Sequence, residues 1–261
     1  MKLKTGVTDN KYSDSIRSFF ERNKVDTEVI ALSEVQDYAG ALHRGDVQAV
    51  AMPLDETPFF DQTDLVIAAL SNRSAPGYSL LVRRESYDPS QVLKIRKGGI
   101  IYTDSLLFTA LLKEIRPDTE CSMTELGSDL KPDAFCVPEN KVYALTETAD
   151  FEKIVLNPFE FPPRAGSGVM AIVCMRDDME TRRQLREVHQ GDISVCTNVE
   201  RSIVKGNEKY REYTGAYCER DSNGYYHACA VFASDTGIHR ARASSSTHAG
   251  LAAELAKKIY G

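Results

Sequence analysis

Several features that would indicate particular protein classes are missing from this 261-residue sequence. The 32 lysines and arginines are outnumbered by 38 aspartates and glutamates, which gives a net charge of −6. No basic surplus is available to neutralise a phosphate backbone, so the composition predicts no nucleic-acid partner. The longest apolar runs, such as residues 65–70, are far too short to span a membrane. Residues 1–20 contain no apolar core of a secretory signal, and we expect a cytoplasmic protein without a membrane partner.

Metal-ligand spacing is also absent, although cysteine and histidine are present. The closest cysteines, Cys218 and Cys229, are eleven residues apart, so no CxxC pair exists. The five histidines form no HxxxH pair, and we expect no metal site. Four cysteines lie in apolar or strand-like stretches: Cys136, Cys174, Cys218 and Cys229. This placement favours reduced thiols that pack as small apolar residues over a disulfide framework.

The first part of the chain alternates between strand-like and helix-like segments. Strands are predicted at residues 3–7, 27–32, 49–52, 65–70 and 78–82. Asp9 or Asn10 can cap a first helix, and Ser33 can cap a second that ends at Gly45. Strands that alternate with helices predict a mainly parallel sheet covered on both faces.

A second unit is predicted after residue 84, where polarity rises. Residues 99–103, 134–137 and 142–145 have strand-like sequences, and Asp104 or Ser105 can cap a helix over 106–115. Residues 158–168 are rich in proline and glycine, which is typical of a crossing between domains. A buried strand at 168–175 and a charged helix at 178–189 follow.

From Thr197 onwards the pattern predicts a small α+β unit. A helix near 199–204 precedes three strands near 213–218, 225–232 and 238–243, and Thr247 can cap a final helix. We therefore predict a first α/β domain from residues 1–84 and 168–195. The second α/β domain comprises 85–167, and the C-terminal α+β domain comprises 196–261.

Six segments, in order along the chain, resemble one enzyme family. They are residues 41–58 (ALHRGDVQAVAMPLDETP), 73–76 (RSAP), 103–106 (TDSL) with 116–118 (RPD), 156–168 (LNPFEFPPRAGSG), 172–178 (IVCMRDD) and 200–201 (ER). Their order and spacing resemble the porphobilinogen deaminase, or hydroxymethylbilane synthase, family of tetrapyrrole and porphyrin biosynthesis.

That resemblance implies a fold and a reaction. The fold is α/β, with two periplasmic-binding-protein-like α/β domains around a cleft plus a small C-terminal α+β domain. The reaction is a transferase reaction that condenses four porphobilinogen molecules and releases ammonia. A dipyrromethane cofactor, attached through a cysteine, primes it, and arginines bind the carboxylates of the substrate.

The residues that carry this chemistry in the family are mostly not matched. The family's arginine and serine after the first strand fall on Thr8 and Asn10. Its two arginines at the start of the 106–115 helix fall on Leu107 and Phe108, which we expect to make the cleft wall apolar. Its cofactor cysteine falls near Tyr210, so no dipyrromethane cofactor is expected.

Glu56 is the candidate catalytic residue, because it falls on the family's aspartate that meets the pyrrole nitrogens. The preceding lysine falls on Asp55, which reverses a charge. The remaining ligand-binding candidates lie at strand ends or in the crossing segment: Thr8, Asn10, Asp55, Thr103, Asp104, Ser105 and Ser167. Plain structural roles stay open beside these: a solvated loop for Glu56, a helix N-cap for 103–105 and a structural crossing for 166–168.

Two functions are therefore compatible with the sequence. The chain is either a transferase of this family, or a non-catalytic small-molecule-binding or accessory protein on the same scaffold. In both cases the expected partner is a small-molecule ligand in the interdomain cleft, and the expected oligomeric state is a monomer.

Overall fold

The computed structural model describes residues 2–32, 37–123, 131–144 and 150–261. The chain divides into two compact units, Met1–Ser74 with Gly168–Val195, and Ala75–Ser167 with Cys196–Gly261. The predicted limits at residues 84 and 85 lie ten residues further along than the break at Ser74. The predicted second and third domains both fall within the second unit.

The first unit is built on a five-stranded mixed sheet. Its strands, in spatial order, are β2 (Thr27–Ala31), β1 (Leu3–Val7), β3 (Ala49–Pro53), β10 (Met170–Met175) and β4 (Leu65–Leu70). β1 is parallel to β2 and β3, whereas β10 runs antiparallel to β3 and β4. Four of the five strands run in one direction, as expected of a mainly parallel sheet, and β10 alone is reversed because it returns from a distant part of the chain.

Both faces of this sheet are covered, as predicted. Ala49 and Ala51 of β3 belong to one buried cluster, and Val50 and Met52 belong to another, as strand alternation requires. The helices of this unit are α1 (Ser13–Arg22), α2 (Tyr38–His43) and α4 (Met179–Arg186). The α/β class predicted from the alternating pattern is confirmed.

Local capping explains where the first helices begin. Asp9 caps a 3-10 turn over Asn10–Tyr12 by accepting a hydrogen bond from the Lys11 amide, and α1 follows at Ser13. The second helix, α2, begins at Tyr38. The predicted cap at Ser33 lies outside the described residues.

The second unit contains another five-stranded mixed sheet. Its strands, in spatial order, are β7 (Glu120–Ser122), β6 (Ile100–Tyr102), β8 (Ala134–Pro138), β5 (Tyr78–Arg83) and β9 (Phe151–Val155). β6 is parallel to β7 and β8, and β5 is antiparallel to β8 and β9. The predicted strand at 142–145 was wrong in its described part, because Glu139–Ala144 forms a 3-10 helix.

Three antiparallel strands, β11 (Thr214–Arg220), β12 (Tyr226–Ser234) and β13 (Gly237–Ser245), complete the second unit, as predicted. The helices of the second unit are α3 (Leu106–Ile115), α5 (Gly191–Val204, which begins in the first unit's residue range) and α6 (Leu251–Tyr260). Val231 of β12 lies in the same buried cluster as Leu80 of β5, so the two sheets of this unit share a core. The predicted Thr247 cap was wrong: α6 follows Gly250, which adopts φ 83°.

No helix within the described ranges is both long and apolar enough to cross a bilayer.

His189 makes the stability of the first unit dependent on pH. Its Nδ1 accepts a hydrogen bond from the Leu70 amide at 3.2 Å, so the ring is neutral in the folded state. Burial holds the pKa of His189 below its ordinary value of 6.5. Below about pH 6.5 the unfolded chain therefore binds a proton that the folded chain does not. We predict that this contribution to the free energy of unfolding is complete above pH 6.5 and is lost as the pH falls.

Urea unfolding of His189→Gln between pH 5 and 7.5 tests this, with His43→Gln as the matched control. Asp64 raises the pKa of His43, so His43 contributes stability below pH 6.5 that is lost as the pH rises. We expect the free energy of unfolding to fall less on acidification in His189→Gln than in the unsubstituted chain, and to fall more in His43→Gln. A His189→Gln profile parallel to that of the unsubstituted chain would contradict the prediction.

Candidate functional site

Three of the predicted site residues follow the carboxyl ends of two adjacent parallel strands. Thr8 comes directly after β1, and its amide donates to the Ala51 carbonyl of β3 at 3.4 Å. Asp55 and Glu56 follow β3 after one intervening residue. Parallel strands bring their carboxyl ends to the same edge of a sheet, and this is where ligand-binding loops commonly lie in open α/β sheets.

A tight turn determines how Glu56 is presented. The Glu56 amide donates to the Pro53 carbonyl at 3.1 Å, and the Thr57 hydroxyl donates to the same carbonyl at 2.7 Å. Leu54 and Thr57 are buried, whereas Asp55 is half-buried and Glu56 is exposed. The turn is therefore anchored on both sides of the two carboxylates, and the Glu56 side chain is accessible to a ligand.

Two residues that the sequence did not single out, Lys11 and Tyr12, belong to the same edge. Lys11 Nζ lies 2.5 Å from Asp9 Oδ2 and 4.8 Å from the centre of the Tyr12 ring. Burial raises the pKa of Tyr12, and the carboxylates of Glu56 and Asp55 raise it further, against the opposing effect of Lys11. Tyr12 lies in the turn after β1, and the two carboxylates lie in the turn after β3, so the pairing of these strands brings both turns to one edge of the sheet.

We call the group formed by Asp9, Lys11, Tyr12, Asp55 and Glu56 the acidic edge. It contains three carboxylates and one ammonium group, so it carries a net negative charge. Asn10 adjoins it on the same turn, with its Oδ1 accepting from the Ser13 hydroxyl at 2.9 Å. Such a set accepts hydrogen bonds from N–H groups and attracts cations, and it repels ligands that carry several carboxylates.

Thr103, Asp104 and Ser105 lie in the second unit, between β6 and α3. The Ser105 hydroxyl accepts from the Phe108 amide at 3.3 Å, which confirms the predicted N-cap. Thr103 is buried, and Asp104 is exposed with its Oδ2 3.1 Å from Lys141 Nζ. Asp104 therefore already has a cationic partner.

Leu107 and Phe108 do not form an apolar ligand-binding wall. Each is only 1% exposed, and both belong to the core of the second unit. The Phe108 ring stacks on Tyr78 with 3.7 Å between ring centres. The expectation of an apolar surface at these positions was wrong, because this turn of α3 points into the core.

Ser167 lies in the crossing segment, which a buried carboxylate holds in place. Glu200 on α5 is 1% exposed, and its two oxygens accept from the Gly166 and Cys218 amides, each at 2.8 Å. Gly215 permits close contact here, because a Cβ at this position would lie 2.1 Å from the Pro162 carbonyl oxygen. Ser167 itself is buried, and its amide donates to the Arg164 carbonyl.

The dipyrromethane cofactor of the resembling family does not fit the residues present. Tyr210, at the expected cysteine position, packs against Phe232 with 4.9 Å between ring centres. Cys218 is fully buried on β11, and burial raises the pKa of Cys229 to about 12. All six thiols are free, and five of them are buried. Cys121, which is half-buried on β7, also has its pKa raised by burial.

Within the described ranges, no group of three or more histidine, cysteine, aspartate or glutamate side chains is arranged to hold a metal ion.

Comparison with curated proteins supports the resemblance found in the sequence. A porphobilinogen deaminase of Chloroherpeton thalassium is 23% identical over 225 residues, which are 83% of this chain and 70% of that protein. Those of Syntrophobacter fumaroxidans and Fusobacterium nucleatum are 24% and 23% identical, over 70% and 73% of this chain. The chain is a distant relative of the porphobilinogen deaminases. It spans 59% and 63% of the latter two proteins, and no protein-family model matches it.

Solved structures with similar folds include YhfZ from Shigella flexneri, at 13% identity and TM-score 0.42 over 81% of this chain and 99% of that one. The methionine-binding protein MetQ is 13% identical, with TM-score 0.43 over 74% of this chain and 91% of that one. At these TM-scores the likenesses carry no information on function.

The two hydrogen bonds of Glu200 lead to a prediction about stability. Glutamine at this position can accept from only one of the two amides, and its NH2 group would then face the other N–H donor. A buried hydrogen bond to a charged group contributes about 1.5–3 kcal/mol. We therefore expect Glu200→Gln to lower the free energy of unfolding by about 2 kcal/mol in urea titrations.

The matched control is Glu254→Gln, which removes an exposed carboxylate that pairs with Lys258 on α6. Exposed pairs of this kind contribute at most about 0.5 kcal/mol, so this variant should unfold almost like the unsubstituted chain. Equal effects of the two substitutions would show that the Glu200 bonds do not hold the crossing segment.

Proposed function

We propose that the chain binds a small pyrrole-type ligand at the acidic edge and does not condense porphobilinogen. The observation that carries this proposal is the charge of the edge. Exposed Glu56 and its neighbour Asp55 both act electrostatically on Tyr12, whose neighbour Lys11 pairs with Asp9. Carboxylate oxygens in this arrangement suit the ring N–H and the protonated amine of an aminomethylpyrrole.

Porphobilinogen itself is a poor fit to this edge because it also carries an acetate and a propionate group. Four units bring eight carboxylates, each of which needs a cation when it is removed from water. The family's arginine positions hold buried Thr8 and the core residues Leu107 and Phe108. Each lost arginine–carboxylate pair removes roughly 1.5–3 kcal/mol of charge-assisted hydrogen bonding.

The family reaction is the second candidate, and the extent of the sequence similarity favours it. Similarity to the Chloroherpeton thalassium enzyme extends over 83% of this chain. Under this candidate the chain is a transferase that makes hydroxymethylbilane in tetrapyrrole biosynthesis. It requires a primer attached through a thiol, and of the cysteines in the second unit only Cys121 is not fully buried.

The intact mass of the purified full chain and its turnover of porphobilinogen distinguish the two candidates. We predict the mass of the bare polypeptide, without a dipyrromethane adduct on any cysteine. We also predict uroporphyrin formation, after acid cyclisation and oxidation, at least about a thousandfold below a competent porphobilinogen deaminase. This magnitude corresponds to the loss of three charge-assisted pairs, at the low end of their range. A thioether adduct, or turnover within about tenfold of the control enzyme, would establish the transferase instead.

Binding of matched pyrroles tests the role of Glu56. We expect calorimetry to show that 2-(aminomethyl)pyrrole, which lacks carboxylates, binds more tightly than porphobilinogen. Glu56→Gln should weaken binding of the former about threefold to tenfold, since Glu56 is exposed and water screens its charge.

Glu28→Gln is the control, because Glu28 is an exposed carboxylate on β2 of the same unit. It should leave the affinity unchanged within twofold. Tighter binding of porphobilinogen, or an equal loss in both variants, would contradict ligand binding at the acidic edge.

A further inference from the structure

A groove of about 670 Å³ lies in the first unit, between strand β4 and helix α4. Its floor is the β4 segment Val66, Ile67 and Ala68. The Val66 and Ala68 side chains share the sheet face that packs on Leu185, whereas the Ile67 side chain packs on the other face. The residues of α4 that line it share one side of the helix: Met179, Glu180, Arg182, Arg183 and Arg186. Small-molecule sites in proteins commonly occupy roughly 300–1,000 Å³, so the groove is of suitable size for a compact ligand.

The floor is accessible because β4 is the outermost strand of its sheet and pairs only with β10 among the described strands. Both ends of its outer edge are occupied. The Arg176 guanidinium donates to the Leu65 carbonyl at 3.0 Å, and the Leu70 amide donates to His189. The open part is therefore the four residues 66–69, which is shorter than a peptide strand of ordinary length.

The wall of the groove is cationic. Arg183 and Arg186 are exposed and lie one turn apart on α4. In the described part of the chain, neither guanidinium has a carboxylate within salt-bridge distance. Arg182 donates to the Arg176 carbonyl at 2.9 Å, and Glu180 is the one acidic residue in the lining. A local excess of positive charge beside an aliphatic floor is unusual in a chain with a net charge of −6.

The packing of α4 does not require these arginines to line the groove. The helix buries Thr181 and Leu185 on its opposite side, and Leu185 belongs to the core of the first unit. Because the buried side anchors the helix, the guanidinium groups are available to a ligand. Arginine binds carboxylate, sulfonate and phosphate groups through paired N–H donors.

We propose that this groove binds a small organic anion with an apolar body, which lies on Val66–Ala68 while its anionic group lies between Arg183 and Arg186. The site is distinct from the acidic edge and has the opposite charge preference. It does not depend on the proposed function.

A fluorescence titration of the full chain tests the site, with 8-anilino-1-naphthalenesulfonate as the anionic probe. N-phenyl-1-naphthylamine, which has the same aromatic body without the sulfonate, is the matched neutral probe. The test variant is Arg183→Gln/Arg186→Gln. The control is Arg17→Gln/Arg22→Gln, which removes the same charge from exposed positions on α1 of the same unit.

We expect the test variant to bind the anionic probe at least tenfold more weakly, and the control variant to bind it within twofold of the unsubstituted chain. The neutral probe should bind at least tenfold more weakly than the anionic one. Raising the salt concentration from 20 to 500 mM should weaken binding of the anionic probe only in chains that keep Arg183 and Arg186, because salt screens exposed charges.

Three results would overturn the proposal: no saturable binding of the anionic probe, equal losses in the test and control variants, or equal affinities for the two probes. Circular dichroism at matched concentration establishes that each variant is folded. If the double variant fails to fold, the single variant Arg186→Gln is used, and it should show at least a threefold loss.

Discussion

The pairing of β10 is the constraint on which the first unit depends. This strand comes from residues 170–175 and lies between β3 and β4, whose residues are more than a hundred positions earlier. Ala171, Ile172, Val173 and Cys174 are fully buried, so both faces of the strand contribute to the core. Removing β10 would separate β4 from the sheet and expose both apolar clusters. The unit therefore cannot form from the first 74 residues alone.

The same strand also determines where the two candidate sites lie. Met170 pairs with Pro53, and the Leu54 amide donates to the Val169 carbonyl at 2.8 Å. These contacts hold the start of the turn that presents Glu56. At its other end β10 leads into α4, which carries the arginines of the groove. One antiparallel strand thus links an acidic site and a cationic site, and their opposite charges imply different ligands.

Much of this architecture could be predicted from the sequence because its signals are local. The runs that became β3, β4 and β10 are strongly apolar. Turn residues separate the three C-terminal strands from one another. The two strands that were not predicted, β7 and β9, lie at the two outer edges of the second sheet and expose part of their side chains. Their sequences, ECS and FEKIV, carry little apolar periodicity, and pairing with a neighbour across the sheet defines them instead.

The site could be predicted only in part for the same reason, because contacts between distant segments are not visible in the local sequence. Glu56 could be proposed from its position after a strand, but the approach of Tyr12 and Lys11 depends on the alignment of β1 with β3. The outcome at Leu107 and Phe108 depends on which turn of α3 faces the core, and a sequence resemblance does not contain that information. The sequence resemblance includes Glu200 only as part of the residue pair 200–201 and assigns it no role. Its structural role follows from the amides of Gly166 and Cys218, which come from separate segments and both donate to its carboxylate.

Three of the positions that differ from the family's motifs take part in the packing of the second unit. Phe108 stacks on Tyr78, Leu107 contacts the strand that contains Gly215, and Tyr210 packs on Phe232. Arginine at position 107 or 108 would place a charge among the apolar side chains of this core, and burying an unpaired charge costs several kcal/mol. A cysteine at position 210 would remove an aromatic contact from the C-terminal sheet. The side chains at positions 107, 108 and 210 therefore stabilise the packing of the second unit.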